Sequence, residues 1–100
     1  MSEQMIQTIR DYFATQPIER AWLFGSYARG EERADSDVDI LVTLDSSAKV
    51  GLIRYVHIIN GLKELINKDV DMVVDGTLLP FAVESANRDK KLIYERKDKR

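Results

Sequence analysis

One hundred residues, 44% hydrophobic and 32% charged, make one domain around a single modest core. There is no cysteine and one histidine, His57, which excludes disulfides, thiolate metal sites and multi-histidine zinc sites. No apolar run approaches the roughly 20 residues that span a bilayer, and the polar, acidic start Met1-Ser2-Glu3-Gln4 is not a secretory leader; a cytoplasmic protein with no membrane partner is the expectation.

The net charge of −2 conceals an asymmetry, because residues 86–100 hold seven basic and three acidic side chains. The body is therefore acidic, which argues against an extended nucleic-acid grip. Residues 1–95 read as the domain and 96–100 as a basic, solvated tail.

In chain order, residues 3–15 place Met5, Ile6, Ile9, Tyr12 and Phe13 at helical spacing after Ser2, a suitable N-cap. Gln16-Pro17 ends that helix, because the residue before proline avoids helical dihedrals. A short buried strand is expected from Arg20 to Gly25, where Trp22 and Phe24 read as core rather than as base-stacking residues. Residues 25–35 form a polar turn region with room for one helical turn. Val38–Leu44 reads as a second strand, alternating apolar and acidic at its start.

Residues 48–67 repeat Val50, Ile53, Val56, Ile58, Leu62, Leu65 and Ile66, a long amphipathic helix. Gly61 inside it costs roughly 1 kcal/mol relative to alanine. Val70–Val74 is a third strand closed by Asp75-Gly76, residues 78–88 a further helix with Thr77 as cap, and Lys91–Glu95 a last strand. The expected architecture is α/β (α+β), a small mixed β-sheet with flanking helices. The long helix and the last one carry more apolar side chains than a thin core covers, and such surplus marks protein contacts.

Two clusters carry chemistry. The first, Gly25-Ser26-Tyr27-Ala28-Arg29-Gly30, follows an apolar strand and opens a turn. Glycine lets a ligand approach the backbone, free N–H groups at the start of a helical turn favour phosphate, the Ser26 hydroxyl adds a donor, and Arg29 pairs with phosphate or a nearby carboxylate. The second, Ser36-Asp37-Val38-Asp39, starts the next strand. Strand side chains alternate faces, so Asp37 and Asp39 point together while Val38 and Ile40 point into the core. Adjacent carboxylates repel and raise each other's pKa, which calls for a cation. Hard oxygens suit Mg2+, which also binds triphosphate. Asp71 on the third strand joins the pair if that strand lies beside the second, and three carboxylates can hold one or two ions that clamp an in-line phosphoryl transfer. Asp69 shares the face of Asp71. Each fragment alone is common: a turn, a solvated acid, a surface arginine. The combination of strand, Gly-Ser-x-Ala-Arg-Gly, five residues, Ser-Asp-x-Asp, strand, long helix and strand with Asp is specific.

That combination resembles the DNA polymerase beta-type nucleotidyltransferase superfamily, in its minimal nucleotidyltransferase branch, over almost the whole chain. The resemblance implies the nucleotidyltransferase fold, Ser26 on the triphosphate, and Asp37, Asp39 and Asp71 as catalytic and Mg2+-binding residues, Asp71 also accepting the proton of the attacking hydroxyl. Gly25, Arg29 and Gly30 match the signature. The implied reaction is transfer of AMP from ATP to a hydroxyl. Minimal members act as antitoxins beside a helical HEPN-domain protein and transfer AMP to a tyrosine of it, which makes such a protein the expected partner. Two other readings stand beside this one: a non-catalytic antitoxin that works by contact, and an enzyme for a small acceptor of the aminoglycoside type whose pocket a partner or a second copy completes. A homo-oligomer stays open.

Overall fold

The computed structural model describes residues 2–75 and 88–96. The first helix, α1 (Glu3–Phe13), starts at Ser2, whose hydroxyl accepts from the Met5 N–H at 3.1 Å. Ile9 and Phe13 are fully buried, with Met5, Ile6 and Tyr12 packed partly against them. The helix stops two residues before the expected Thr15. Its end tightens into i→i+3 bonds, Thr15 N–H to Tyr12 and Gln16 N–H to Phe13, so that Gln16 can leave helical dihedrals ahead of Pro17.

Strand β1 (Ile18–Phe24) starts two residues earlier than its apolar run suggests. Ile18 is fully buried, while Glu19 and Arg20 belong to the strand through pairing rather than hydrophobicity, Arg20 reaching Glu95 at 2.9 Å. One helical turn, α2 (Gly25–Arg29), follows directly. Strand β2 (Val38–Leu44) has the expected bounds.

Helix α3 (Leu52–Ile66) is shorter than expected at its start, because Asp45 captures the chain. The Asp45 carboxylate accepts from Ser47 N–H (2.9 Å) and hydroxyl (2.7 Å), and the Ala48 N–H bonds back to the Asp45 carbonyl, a local turn that competes with helix. Asn67, in the left-handed region at φ 54°, ends α3. Of the apolar repeat, only Ile58, Leu62 and Ile66 are buried; Ile53 (78% exposed), Val56 (44%) and Leu65 (54%) face outward. Strands β3 (Val70–Val74) and β4 (Lys91–Glu95) match expectation. The expected helix over 78–88 falls outside the described residues, apart from Arg88.

The sheet order is β3-β2-β1-β4. β1 is antiparallel to both β2 and β4, and β3 is parallel to β2. The mixed sheet is thus the α/β arrangement the sequence implies. Helices α1 and α3 share one face, where their buried side chains meet Ala21, Leu23, Val38, Ile40 and Val42. Trp22 and Phe24 alternate with those core residues and so lie on the other face, half-buried, with the Lys90 ammonium 4.6 Å from the Trp22 ring.

Gly61 is required where α1 crosses α3. The Tyr12 hydroxyl donates to the Ile58 carbonyl of α3 at 2.8 Å, and a Cβ on Gly61 would collide with that hydroxyl. Two further bonds tie helices to the outer strands. Tyr55 donates to the Met72 carbonyl of β3 at 2.6 Å, and Arg10 to the Ile93 carbonyl of β4. Val38 N–H to Asp69 and Asp75 N–H to Val42 set the β2–β3 ladder, which leaves the Met72 carbonyl on the outer side of β3. Ile93 is skipped in the β1–β4 register, between Leu92 and Tyr94. Arg96, assigned by composition to the basic tail, is fastened to the domain: its N–H reaches Glu19, and its guanidinium the Gln16 carbonyl and Asp45 (3.1 Å).

Candidate active site

The acidic residues singled out by sequence meet on the sheet face opposite α1 and α3. The register pairs Asp39 with Phe24 on one side and with Asp71 on the other. Asp37 lies two residues back on the same face, and Asp69 precedes β3 beside it, its carbonyl accepting the Val38 N–H at 2.9 Å. Parallel pairing of β2 and β3 is what brings the three candidate carboxylates to one corner. Asp37 and Asp71 are exposed and Asp39 is half-buried.

Asp39 carries the strongest constraint. Burial pushes its pKa up, and repulsion from Asp71 and Asp37 adds to that, partly offset by the attraction of Arg29. Gly25 makes room for it: its φ is +70°, and a Cβ there would collide with Oδ2 of Asp39. The glycine therefore serves two needs, a left-handed backbone and a carboxylate seated against the start of α2. Gly30, at φ +71°, ends α2 in the same backbone region with nothing near its missing Cβ.

The other loop residues divide. Ser26 lies on α2 beside this corner. Tyr27 is 7% exposed and packs into the core, so it is closed to a nucleobase. Arg29 has both expected options in sequence and takes carboxylates here, Glu31 at 2.8 Å and Asp89 at 3.3 Å, which hold its pKa up. Asp89 comes from the far end of the chain, and no spacing in the sequence announces it. Upstream of Asp37, the Ser36 hydroxyl accepts the Arg33 N–H at 2.8 Å and its own N–H returns to the Arg33 carbonyl, a turn that sets the entry of β2. Next to Asp37 opens a cleft of about 510 Å3 between residues 34–37 and 63–69. Its lining includes Lys63, paired with Asp69 at 3.6 Å, and Lys68, whose ammonium reaches the Ala34 carbonyl at 3.3 Å. Sequence reasoning missed this cleft because the β2–β3 pairing creates it. His57 is exposed on α3 and takes no part in the corner.

Among the described residues, no three acidic or histidine side chains converge closely enough to hold a metal ion as they stand. The donor set nevertheless fits a hard divalent cation: oxygen ligands only, and in Asp39 a carboxylate whose ionisation the fold disfavours until positive charge is added.

Residues 7–99 match the family described as polymerase beta, nucleotidyltransferase. A relative in Methanocaldococcus jannaschii, provisionally named a protein adenylyltransferase, is 36% identical over 73 residues, 72% of this chain and 71% of that one. A solved chain described as a minimal nucleotidyltransferase superimposes with a TM-score of 0.70 at 30% identity, over 88% of this chain and 87% of that one. The solved complex of a tri-AMPylated Shewanella oneidensis HEPN toxin with an MNT antitoxin contains a chain of the same fold, with a TM-score of 0.61 at 20% identity, over 93% of this chain and 68% of that one. No helix among the described residues is long and apolar enough to cross a membrane. With 93 of its residues inside the family match, a shared mixed sheet, and the Gly-Ser turn beside paired carboxylates, the chain belongs to the polymerase beta nucleotidyltransferase family.

Proposed function

We propose that this chain is a Mg2+-dependent adenylyltransferase that moves AMP from ATP to a tyrosine hydroxyl of a helical HEPN-type partner, and so acts as an antitoxin in the cytoplasm. The observation that carries the reading is the Asp39–Asp71 pairing across parallel strands, with Asp37 on the same face and the Gly25–Arg29 turn packed against Asp39. The names of the relatives support the transferred group, and the AMPylated toxin complex supports the kind of partner.

In this reading Asp37, Asp39 and Asp71 hold Mg2+, which supplies charge neutralisation on the phosphates. Ser26 donates to the triphosphate, and Gly25 keeps the Asp39 carboxylate and the phosphate turn in contact. The acceptor oxygen bonds to the α-phosphorus as the bond to the pyrophosphate oxygen breaks. Asp71, exposed at the open side of the corner, takes the hydroxyl proton, and pyrophosphate leaves on the α2 side, in line with the incoming oxygen. Arg29, held by Glu31 and Asp89, steadies α2 and contributes positive charge toward Asp39.

The test is intact mass spectrometry of a co-expressed HEPN-type partner after ATP and Mg2+ are added. Whole AMP units that disappear in Asp37→Ala/Asp39→Ala are expected. A stable complex without added mass would replace the enzyme by a contact antitoxin. Neither complex nor mass, together with AMP transfer to an aminoglycoside, would move the acceptor to small molecules.

A further inference from the structure

The first turns of α3 carry an apolar patch that the domain does not use. Leu52 and Ile53 are each 78% exposed and Val56 is 44% exposed. The patch continues into a groove of about 450 Å3 between α3 and the ends of β2 and β3, lined among others by Leu44, Val50, Tyr55, Met72 and Val74. Its helical edge is basic: from Ser46 to Lys63 the chain has no acidic residue, and Lys49 and Arg54, either side of Leu52 and Ile53 in sequence, are exposed, in a protein of net charge −2. On the strand side Asp45 and Asp75 follow Leu44 and Val74, and Asp45 is paired with Arg96. Lys49 and Arg54 have no acidic partner among the described residues.

We propose that this patch is the docking face for the partner protein and that its occupant is an amphipathic helix whose apolar stripe is bordered by acidic side chains where it meets α3. An apolar centre beside a groove takes the i, i+3, i+4 anchors of such a helix, and free Lys49 and Arg54 select acids at that edge. A nucleic acid would leave Leu52 and Ile53 without a use. A second copy of this chain would bring no acidic residue from its own Ser46–Lys63 stretch to meet Lys49 and Arg54. The exposed residues of the patch, Leu52, Ile53 and Val56, take no part in the acidic corner, although the groove beside them reaches Met72, the chain neighbour of Asp71. The partner's identity rests on the function proposed above, while the chemistry of its docking helix does not.

The probe is a labelled helix-forming peptide of about 20 residues, long enough for a stable amphipathic stripe, with Leu and Ile on one face and Glu at the flanks. A twin carries Lys at the flanks. Fluorescence anisotropy against the full chain should give binding to the Glu peptide and at least about tenfold weaker binding to the Lys twin, a hot-spot-sized difference. Ile53→Asp should abolish binding, and Lys49→Glu/Arg54→Glu should reverse the preference, with thermal melting and Mg2+-dependent ATP binding unchanged in both variants. Equal affinity for the two peptides, or no binding of either, overturns the proposal. So does displacement of the Glu peptide by a duplex RNA, or a dimer in sedimentation that Ile53→Asp dissociates. Because no ATP is used in the peptide assay, its failure leaves the adenylyltransferase reading standing.

Discussion

Gly25→Ala separates the two tasks of one glycine. Alanine at φ +70° costs about 1–2 kcal/mol of backbone strain. The same strain applies at Gly30, φ +71°, where the new methyl meets nothing. In a domain of this size each kcal/mol lowers Tm by about 4–8 °C, so Gly30→Ala should melt about 4–16 °C lower and keep nucleotide binding and transfer once measured below its transition. At Gly25 the methyl also collides with Oδ2 of Asp39 and must push that carboxylate aside. A displacement of about 1 Å at a reacting centre costs on the order of a hundredfold in rate. The assay pairs thermal melts with calorimetric titration of ATP in the presence and absence of Mg2+ and with AMP transfer. Equal behaviour of the two variants in all three measurements would refute the coupling of Gly25 to Asp39.

Three other predictions follow from the same geometry. Gly61→Ala should destabilise the fold in urea titration although alanine is the better helix former by about 1 kcal/mol, because its methyl meets the Tyr12 hydroxyl; in a Tyr12→Phe background that penalty should shrink. Asp39→Asn should stabilise the protein above the ordinary aspartate range. Burial and neighbouring acids raise the folded pKa of Asp39, so its ionisation costs stability as pH rises through and beyond about 4, the unfolded value; the urea midpoints of wild type and variant should converge as pH falls below it, and a constant gap would contradict the assignment. Ser26→Ala should lower transfer by about tenfold to a hundredfold, the equivalent of a lost charge-assisted hydrogen bond, with the melting curve unchanged; an unaltered rate moves the phosphate away from α2.

Much of this fold was readable because its signals are local. Period-two alternation in Val38-Asp39-Ile40 puts the acids on one face whatever the topology, and the Ser2 cap and the Gly25 and Gly30 punctuation bound their elements by chemistry that acts within a few residues. The parts that were not readable depend on partners distant in sequence. Ile18 and Glu19 look like loop until Leu44 and Arg96 are beside them. The start of α3 yields to the Asp45 turn, which periodicity does not register. Ile53, Val56 and Leu65 fit the helical repeat but fall outside the stripe that α1 and the sheet cover. Gly61 looks like a flaw until Tyr12 is placed over it, the Arg29–Asp89 pair exists only once β4 has paired with β1, and the cleft beside Asp37 only once β3 has paired with β2.

The bonds from Tyr55 to the Met72 carbonyl and from Arg10 to the Ile93 carbonyl occupy acceptors on the outermost strands of the described sheet. Each is made by a side chain from the helical layer. An outer strand with open carbonyls is a template for strands of other molecules. Protection against such recruitment is therefore contingent on α1 and α3 being docked, and a species that releases its helices exposes both templates together. Colloidal behaviour under mild heating would then follow helix release rather than loss of the sheet, and the tyrosine and arginine would act as guards of solubility as well as contributors to the melting temperature.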